Sequence, residues 1–162
     1  MSDRTFELRR LGQVRIEAGE FLLEIEDPFG AALLELGGFS HVNVLWWADQ
    51  VDLPFFRDMT VAERPYRNAP AAIGIFATRS PARPNPLALS TAPMISVDVE
   101  RGLVRIGYID ADDGSPIVDL KPYLPATDRV RSARYPEWAA SWPEWYEDSA
   151  TFDWSAVFER AQ

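Results

Sequence analysis

Leu87-Ala-Leu-Ser-Thr-Ala-Pro-Met-Ile-Ser-Val-Asp-Val-Glu-Arg-Gly-Leu-Val-Arg-Ile-Gly-Tyr-Ile-Asp-Ala-Asp-Asp-Gly-Ser-Pro-Ile-Val-Asp-Leu-Lys-Pro-Tyr123 decides the fold, because apolar and β-branched runs in it are cut at short intervals by turn residues. It predicts strands over Leu87–Val99, Leu103–Asp110 and Ile117–Tyr123, with turns at Glu100-Arg101-Gly102 and Asp112-Asp113-Gly114-Ser115. Towards the N-terminus, Phe6–Ile16 and Phe21–Ile25 flank Glu17-Ala-Gly-Glu20 as a hairpin with Phe21, Leu23 and Ile25 on one face. Asp27-Pro28 reads as the cap and first position of a short helix over Ala31–Leu36, stopped by Gly37-Gly38. Phe39–Trp47 reads as a buried strand, 49–71 as a long connection that could act as a lid, and Ile73–Thr78 as a further strand. Many short strands with little helix argue for a mainly β domain, a barrel or a sandwich.

The 162 residues, 47% hydrophobic, fit one domain, with a core over about 6–125 and a C-terminal wrap over 126–162. The apolar runs are too short for a membrane span, and the expectation is a soluble, cytoplasmic protein. No cysteine and a single histidine remove a thiolate nucleophile and predict no metal site. That histidine, His41, reads as a hydrogen-bonded residue in or near the core. A net charge of −9 is the wrong sign for gripping long nucleic acid, and no DNA partner is expected. Yet Arg57, Asp58, Glu63, Arg64, Arg67, Arg79 and Arg83 leave a local positive excess suited to a compact anion or a single presented nucleotide.

That excess includes Gly74-Ile-Phe-Ala-Thr-Arg-Ser-Pro-Ala-Arg-Pro-Asn-Pro86, a strand running into a loop stiffened by prolines. A loop with few conformations to lose binds at low entropic cost. Asp110, Asp112 and Asp113 form an acidic turn; an EF-hand beginning at Asp110 fails, since Ser115 and Lys121 occupy its glycine and glutamate positions. With a period of two, Asp119, Lys121 and Tyr123 share one face and Val118, Leu120 and Leu124 the other. The polar face is either an exposed ion pair or a set of groups that positions a nucleophile. In the tail, Trp138, Trp142, Trp145 and Trp154 read as a segment that fills or caps the barrel core, with an aromatic ligand cage or a subunit interface as alternatives; Asp153 is placed to cap a last helical turn.

Gly-Gly-Phe-Ser-His41, the Gly74–Pro86 block with Leu89-Ser90, and Asp110-Ala-Asp-Asp-Gly-Ser-Pro-Ile-Val-Asp-Leu-Lys-Pro-Tyr123 together resemble the TsaA/TrmO family of S-adenosylmethionine-dependent tRNA methyltransferases. The resemblance implies a single antiparallel β-barrel with a few short helices, acting as a homodimer on the N6 nitrogen of threonylcarbamoyladenosine beside the anticodon; the Trp-rich C-terminal extension departs from it, standing where longer members carry a further domain. It implies S-adenosyl-L-methionine as cofactor, held by Asp49, Gln50, Arg79, Leu89, Ile109, Asp110, Ala111 and Asp112. Arg83 and Asn85 are expected against the tRNA substrate, and the chemistry of the residues themselves assigns Asp113, Asp119, Lys121 and Tyr123 to substrate orientation or proton handling. Asp49-Gln50 stands where relatives commonly carry histidine before glutamine, and no Pro-Arg-Gln-Pro-Gly-like segment precedes Glu17. The same cofactor with a small-molecule acceptor, or a non-catalytic nucleotide-binding module, are the alternatives.

Overall fold

The structure, a computed structural model, describes residues 5–159. Its strands are β1 (Gly12–Glu17), β2 (Glu20–Ile25), β3 (His41–Trp47), β4 (Val61–Glu63), β5 (Ala72–Gly74), β6 (Leu87–Asp98), β7 (Leu103–Ile106) and β8 (Pro116–Pro122). Contacts divide the chain into two compact units, residues 5–53 with Asn85–Arg129, and Pro54–Pro84 with residues 130–159.

The first unit is a closed antiparallel barrel in the order β1-β2-β7-β6-β3-β8. Ala18 and Gly19, both at positive φ, make the two-residue turn whose twist matches the β1–β2 hairpin. Alternation then sends Val14, Leu23, Ile25, Val42, Val44, Trp46, Ala92, Val104, Ile106 and Ile117 into one buried core. Each such aliphatic side chain contributes about 1.5–3 kcal/mol through burial. Phe21 packs against that core beside Leu23 and Ile25, the face read from sequence. β6 spans two partners: Leu87–Pro93 pair with β3, and Met94–Asp98 pair with β7 across a bulge. The barrel closes where Gly12 and Gln13 pair with Ile117 and Pro116, extended by Leu11 N donating to Ile117 O at 2.8 Å and Val14 N to Ser115 O at 2.9 Å.

Several elements depart from the sequence reading. The first strand begins at Gly12 rather than Phe6. The short helix is two 3₁₀ segments, Asp27–Leu33 and Leu36–Gly38, preceded by Glu26 rather than capped by Asp27. Its buried residues Gly30, Leu33 and Leu36 recur every third position, the spacing at which 3₁₀ side chains eclipse. β7 stops at Ile106, not Asp110, because Gly107 N donates to Pro93 O, and a Cβ on Gly107 would lie 2.8 Å from Pro93 Cγ. In β8 the register shifts where Leu45 pairs with Asp119 but Trp46 pairs with Ile117, so Val118 is an extra residue. That bulge turns Ile117 into the core while Leu120 still packs on it, and the expected Val118/Leu120 face is broken there.

In the second unit β4 and β5 form an antiparallel pair, Val61 to Gly74 and Glu63 to Ala72. The strand expected to reach Thr78 ends at Gly74. Thr78 donates through both N and Oγ1 to Ile75 O, at 3.1 and 2.8 Å, and this closes Ile75–Ala77 into a 3₁₀ turn that buries Ile75 and exposes Phe76. The tail residue Phe158 bridges to Tyr66, and Arg67 N donates to Val157 O at 3.0 Å. Among the described residues no helix is long and apolar enough to cross a membrane.

Candidate functional site

The barrel sorts most of the expected site residues onto two surfaces. At one barrel end the loop after β7 carries Ile109 and Ala111 into the core, while Asp110 and Asp112 are exposed. The two apolar members are therefore packing residues, and the two carboxylates remain open to a ligand. Asp110 is fixed by an inward-facing relay: Trp46 Nε1 donates to Ser90 Oγ at 2.9 Å, and Ser90 Oγ donates to Asp110 Oδ1. A serine hydroxyl that receives the indole proton and gives its own to a carboxylate leaves Oδ2 of Asp110 for another donor. Asp112 O accepts from Ser115 N at 3.1 Å to close the acidic turn, in which Gly114 has φ +86°. Asp113 is committed to β1: its Oδ1 accepts from Ile16 N at 2.8 Å and its Oδ2 lies 3.5 Å from Arg15 Nη1. The Arg15 guanidinium, hydrogen-bonded to Glu17 and attracted by Asp113, has its pKa raised above the ordinary arginine value.

The second surface is the outer wall formed by β6, β3 and β8. Register sets Leu89 opposite Leu45, and Leu45 opposite Asp119; the next row runs Thr91, Asn43, Lys121. Residues directly opposite lie about 4.5–5.5 Å apart at Cβ, so Leu89 and Asp119 flank Leu45 on one continuous strip. Asp119 Oδ2 holds Lys121 Nζ at 2.7 Å, and that hydrogen bond, with the attraction behind it, raises the lysine pKa. Both groups are solvent-exposed, so the pair contributes little to stability. Tyr123 N donates to His41 O at 3.0 Å, and the two rings stand 6.1 Å apart. His41 Nδ1 meets Ser40 Oγ at 2.9 Å at a half-buried strand end, as a hydrogen-bonded histidine near the core. Beneath the strip, Thr91 Oγ1 donates to Asn43 Oδ1 at 2.8 Å and Asn43 Nδ2 to Asp128 Oδ2 at 3.2 Å; Leu124 N also donates to Asp128 Oδ2, at 2.8 Å. This network pins the turn that follows Tyr123.

Leu89 and Asp110 thus approach the same strand from opposite sides: Ser90 points inward to Asp110, and Leu89, 48% exposed, points outward. Asp49 and Gln50 are exposed on the 3₁₀ turn Asp49–Val51. Exposed Asn85 accepts through its carbonyl from Leu87 N at 2.7 Å. In the second unit Arg79 is exposed, whereas Arg83 braces its own loop: its Nη2 donates to Thr78 O at 2.8 Å and Ile75 O at 3.2 Å. The stiffness of that loop comes from side chains as well as prolines, since Thr78 Oγ1 accepts from Ser80 N and Ser80 Oγ from Ala82 N.

The relay through Trp46 and Ser90 and the network through Asn43, Thr91 and Asp128 were not foreseen as units. A signal existed for the first: Ala88, Ser90 and Ala92 alternate onto the core face, and a lone hydroxyl among alanines calls for a partner.

These features define the chain as a small closed antiparallel β-barrel with exposed carboxylates at one end and an ion pair on its outer wall. Residues 10–129 match the family described as the tRNA-methyltransferase O N-terminal domain, and the chain belongs to that family. An S-adenosyl-L-methionine-binding protein of Archaeoglobus fulgidus is 34% identical over 108 residues, covering 67% of this chain and 72% of that one. A tRNA (adenine(37)-N6)-methyltransferase of Escherichia coli K12 is 33% identical over 132 residues, 77% of this chain and 53% of the relative. A crystallised TrmO superposes with a TM-score of 0.64 at 28% identity, over 82% of this chain and 64% of that one. The chain therefore spans about half the length of the Escherichia coli relative and slightly under two thirds of the crystallised chain.

Proposed function

We propose that the chain transfers the methyl group of S-adenosyl-L-methionine to the N6 nitrogen of adenosine 37 of tRNA, in its threonylcarbamoyl form, and does so as a cytoplasmic homodimer. The observation that carries this reading is that the matched stretch, 10–129, is the whole barrel, including the Trp46–Ser90–Asp110 relay and the Asp119–Lys121 strip. The residues present fit the cofactor. Asp110 and Asp112 offer carboxylate oxygens for ribose hydroxyls or an ammonium; Leu89, on the opposite face of β6, would offer its apolar surface to the adenine of a cofactor held by the partner subunit of the proposed homodimer; for Arg79 the carboxylate-binding role rests on the sequence motif alone. Asp49 and Gln50 belong to the same site in this proposal.

When bound, the cofactor supplies an electrophilic methyl group on a sulfonium. The N–CH₃ bond forms as the S–CH₃ bond breaks, so the protein has to align the partners and receive the proton leaving nitrogen. Lys121, held as an ammonium by Asp119, is unsuited to take that proton; it orients and neutralises. In this proposal the Asp119 carboxylate is the acceptor, and the Tyr123 phenol orients the substrate. Asp113 serves as a positioning residue for the acidic turn through Ile16 and Arg15. Asn85 faces the substrate, and Arg83 supports it by keeping its loop in shape.

The test is incubation of the full chain with isotopically labelled S-adenosyl-L-methionine and tRNA containing unmethylated threonylcarbamoyladenosine, followed by nucleoside mass analysis. A methylated nucleoside lost in Asp119→Asn is the expected outcome. Cofactor binding with untouched tRNA overturns the substrate and favours a small-molecule acceptor, the reading that the −9 charge supports.

A further inference from the structure

The tail lies beyond the matched residues 10–129, and the proposed methyl transfer assigns a role to none of its residues. There Trp138 stacks on Tyr66 at 5.3 Å and 18°, while Trp142 stands edge-on to both, at 73° and 77°. These rings, with Phe152, Asn68 and Asp153, line a cavity of about 260 Å³. We propose that this cavity binds a small organic cation of the alkylated-ammonium class, a quaternary ammonium or multiply methylated amine head group.

Ring faces present negative charge to a cation, and rings set in near-perpendicular planes can meet a rounded head group from several sides. The volume falls below the roughly 300–1,000 Å³ of drug-sized ligand sites, which selects a compact head. Charge decides between a cation and a stacked nucleotide. Of the residues that line the cavity Asp153 alone carries a charge, and that charge is negative, so the wall itself favours a cation over a phosphate-bearing ligand. Arg67, the neighbouring cation, donates from Nε to Phe158 O at 3.2 Å and from Nη2 to Ser155 O at 3.5 Å. Asp153 Oδ1 accepts from Ser155 Oγ at 2.6 Å and Ser155 N at 3.1 Å. Those bonds, the hydroxyl's first, and the charge of Arg67 hold its pKa below the usual carboxylate value, so the carboxylate is ionised at neutral pH.

The full chain is titrated with choline, with its uncharged carbon isostere dimethylbutanol, and with adenosine monophosphate, following the indole N–H resonances and tryptophan fluorescence. Choline is expected to bind about tenfold tighter than the isostere, the size of a desolvated cation–π contribution. Asp153→Asn, which keeps a competent cap residue, and Trp142→Phe should each weaken choline several-fold without changing methyl-transfer rates. Equal binding of choline and isostere, undiminished binding in Asp153→Asn, or a response to adenosine monophosphate alone each overturns the proposal.

Discussion

Ser90 does more than its size suggests. Its hydroxyl is the acceptor for a core tryptophan and the donor to an exposed aspartate, so Ser90→Ala orphans the Trp46 indole and frees Asp110 at once. Leaving a buried donor unsatisfied costs about 1–3 kcal/mol, and the variant should unfold earlier in urea by that amount. Calorimetry should show S-adenosyl-L-methionine affinity falling about tenfold, because a carboxylate that must be ordered on binding loses its preorganisation. Asp119 gives a pH prediction. The folded-state pKa of Lys121 is raised, so its contribution to stability is present below the ordinary lysine value and is lost as pH rises through the folded one. In Asp119→Asn the Lys121 Cε resonance should titrate at lower pH, with thermal stability at neutral pH almost unchanged because both groups are exposed. An unshifted titration would remove the pairing from the reaction scheme as well. The roles of Asp119 and Lys121 as neighbours were legible from residue spacing alone, since a period of two puts them on one face. The Asn43–Asp128 bond was not, because no local pattern joins residues 85 positions apart.

At the level of elements, strands were legible wherever β-branched runs met glycine turns, and illegible where side chains compete for backbone carbonyls. Ile73–Thr78 has the composition of a strand, yet Thr78 takes the Ile75 carbonyl and makes a turn. The Val118 bulge was hidden for a related reason: it depends on the partner strand, and composition cannot report register. The β6–β7 turn, by contrast, was marked by its glycine. Gly102 has φ +65°, and an added Cβ would lie 2.5 Å from Ile25 O, the carbonyl of a paired β2 residue. Gly102→Ala should therefore destabilise by about 1–3 kcal/mol and lower the melting temperature by several degrees. A variant as stable as the parent would mean that the hairpin can re-form with another turn. Gly38, whose added Cβ would meet nothing within 4 Å, is the matched control.

For the whole molecule, the barrel and the family were both written in the chain. The division of contacts was not, because it depends on Pro54–Pro84 packing with residues 130–159 across a long separation in sequence. β6 leaves Leu89 48% exposed where it pairs with β3 and Ile95 58% exposed at the bulge where it passes to β7, apolar area that the proposed homodimer would cover. Sedimentation should give twice the 18.3 kDa chain mass. Leu89→Asp should give monomers that have lost S-adenosyl-L-methionine affinity, whereas a monomeric parent that still binds the cofactor would detach the site from any subunit contact.

The join between β1 and β8 rests on two register pairs, against seven between β3 and β6. A cylinder zipped so briefly along one line has a natural place to breathe, and amides there should take up deuterium well before those of β3. The acidic turn sits on that line, with Gly114 N donating to Val14 O and Asp113 receiving Ile16 N. A ligand drawing on Asp110 and Asp112 would damp the opening, so slowed isotope exchange at Val14 and Ile16 would report occupancy of the barrel with no label on the ligand.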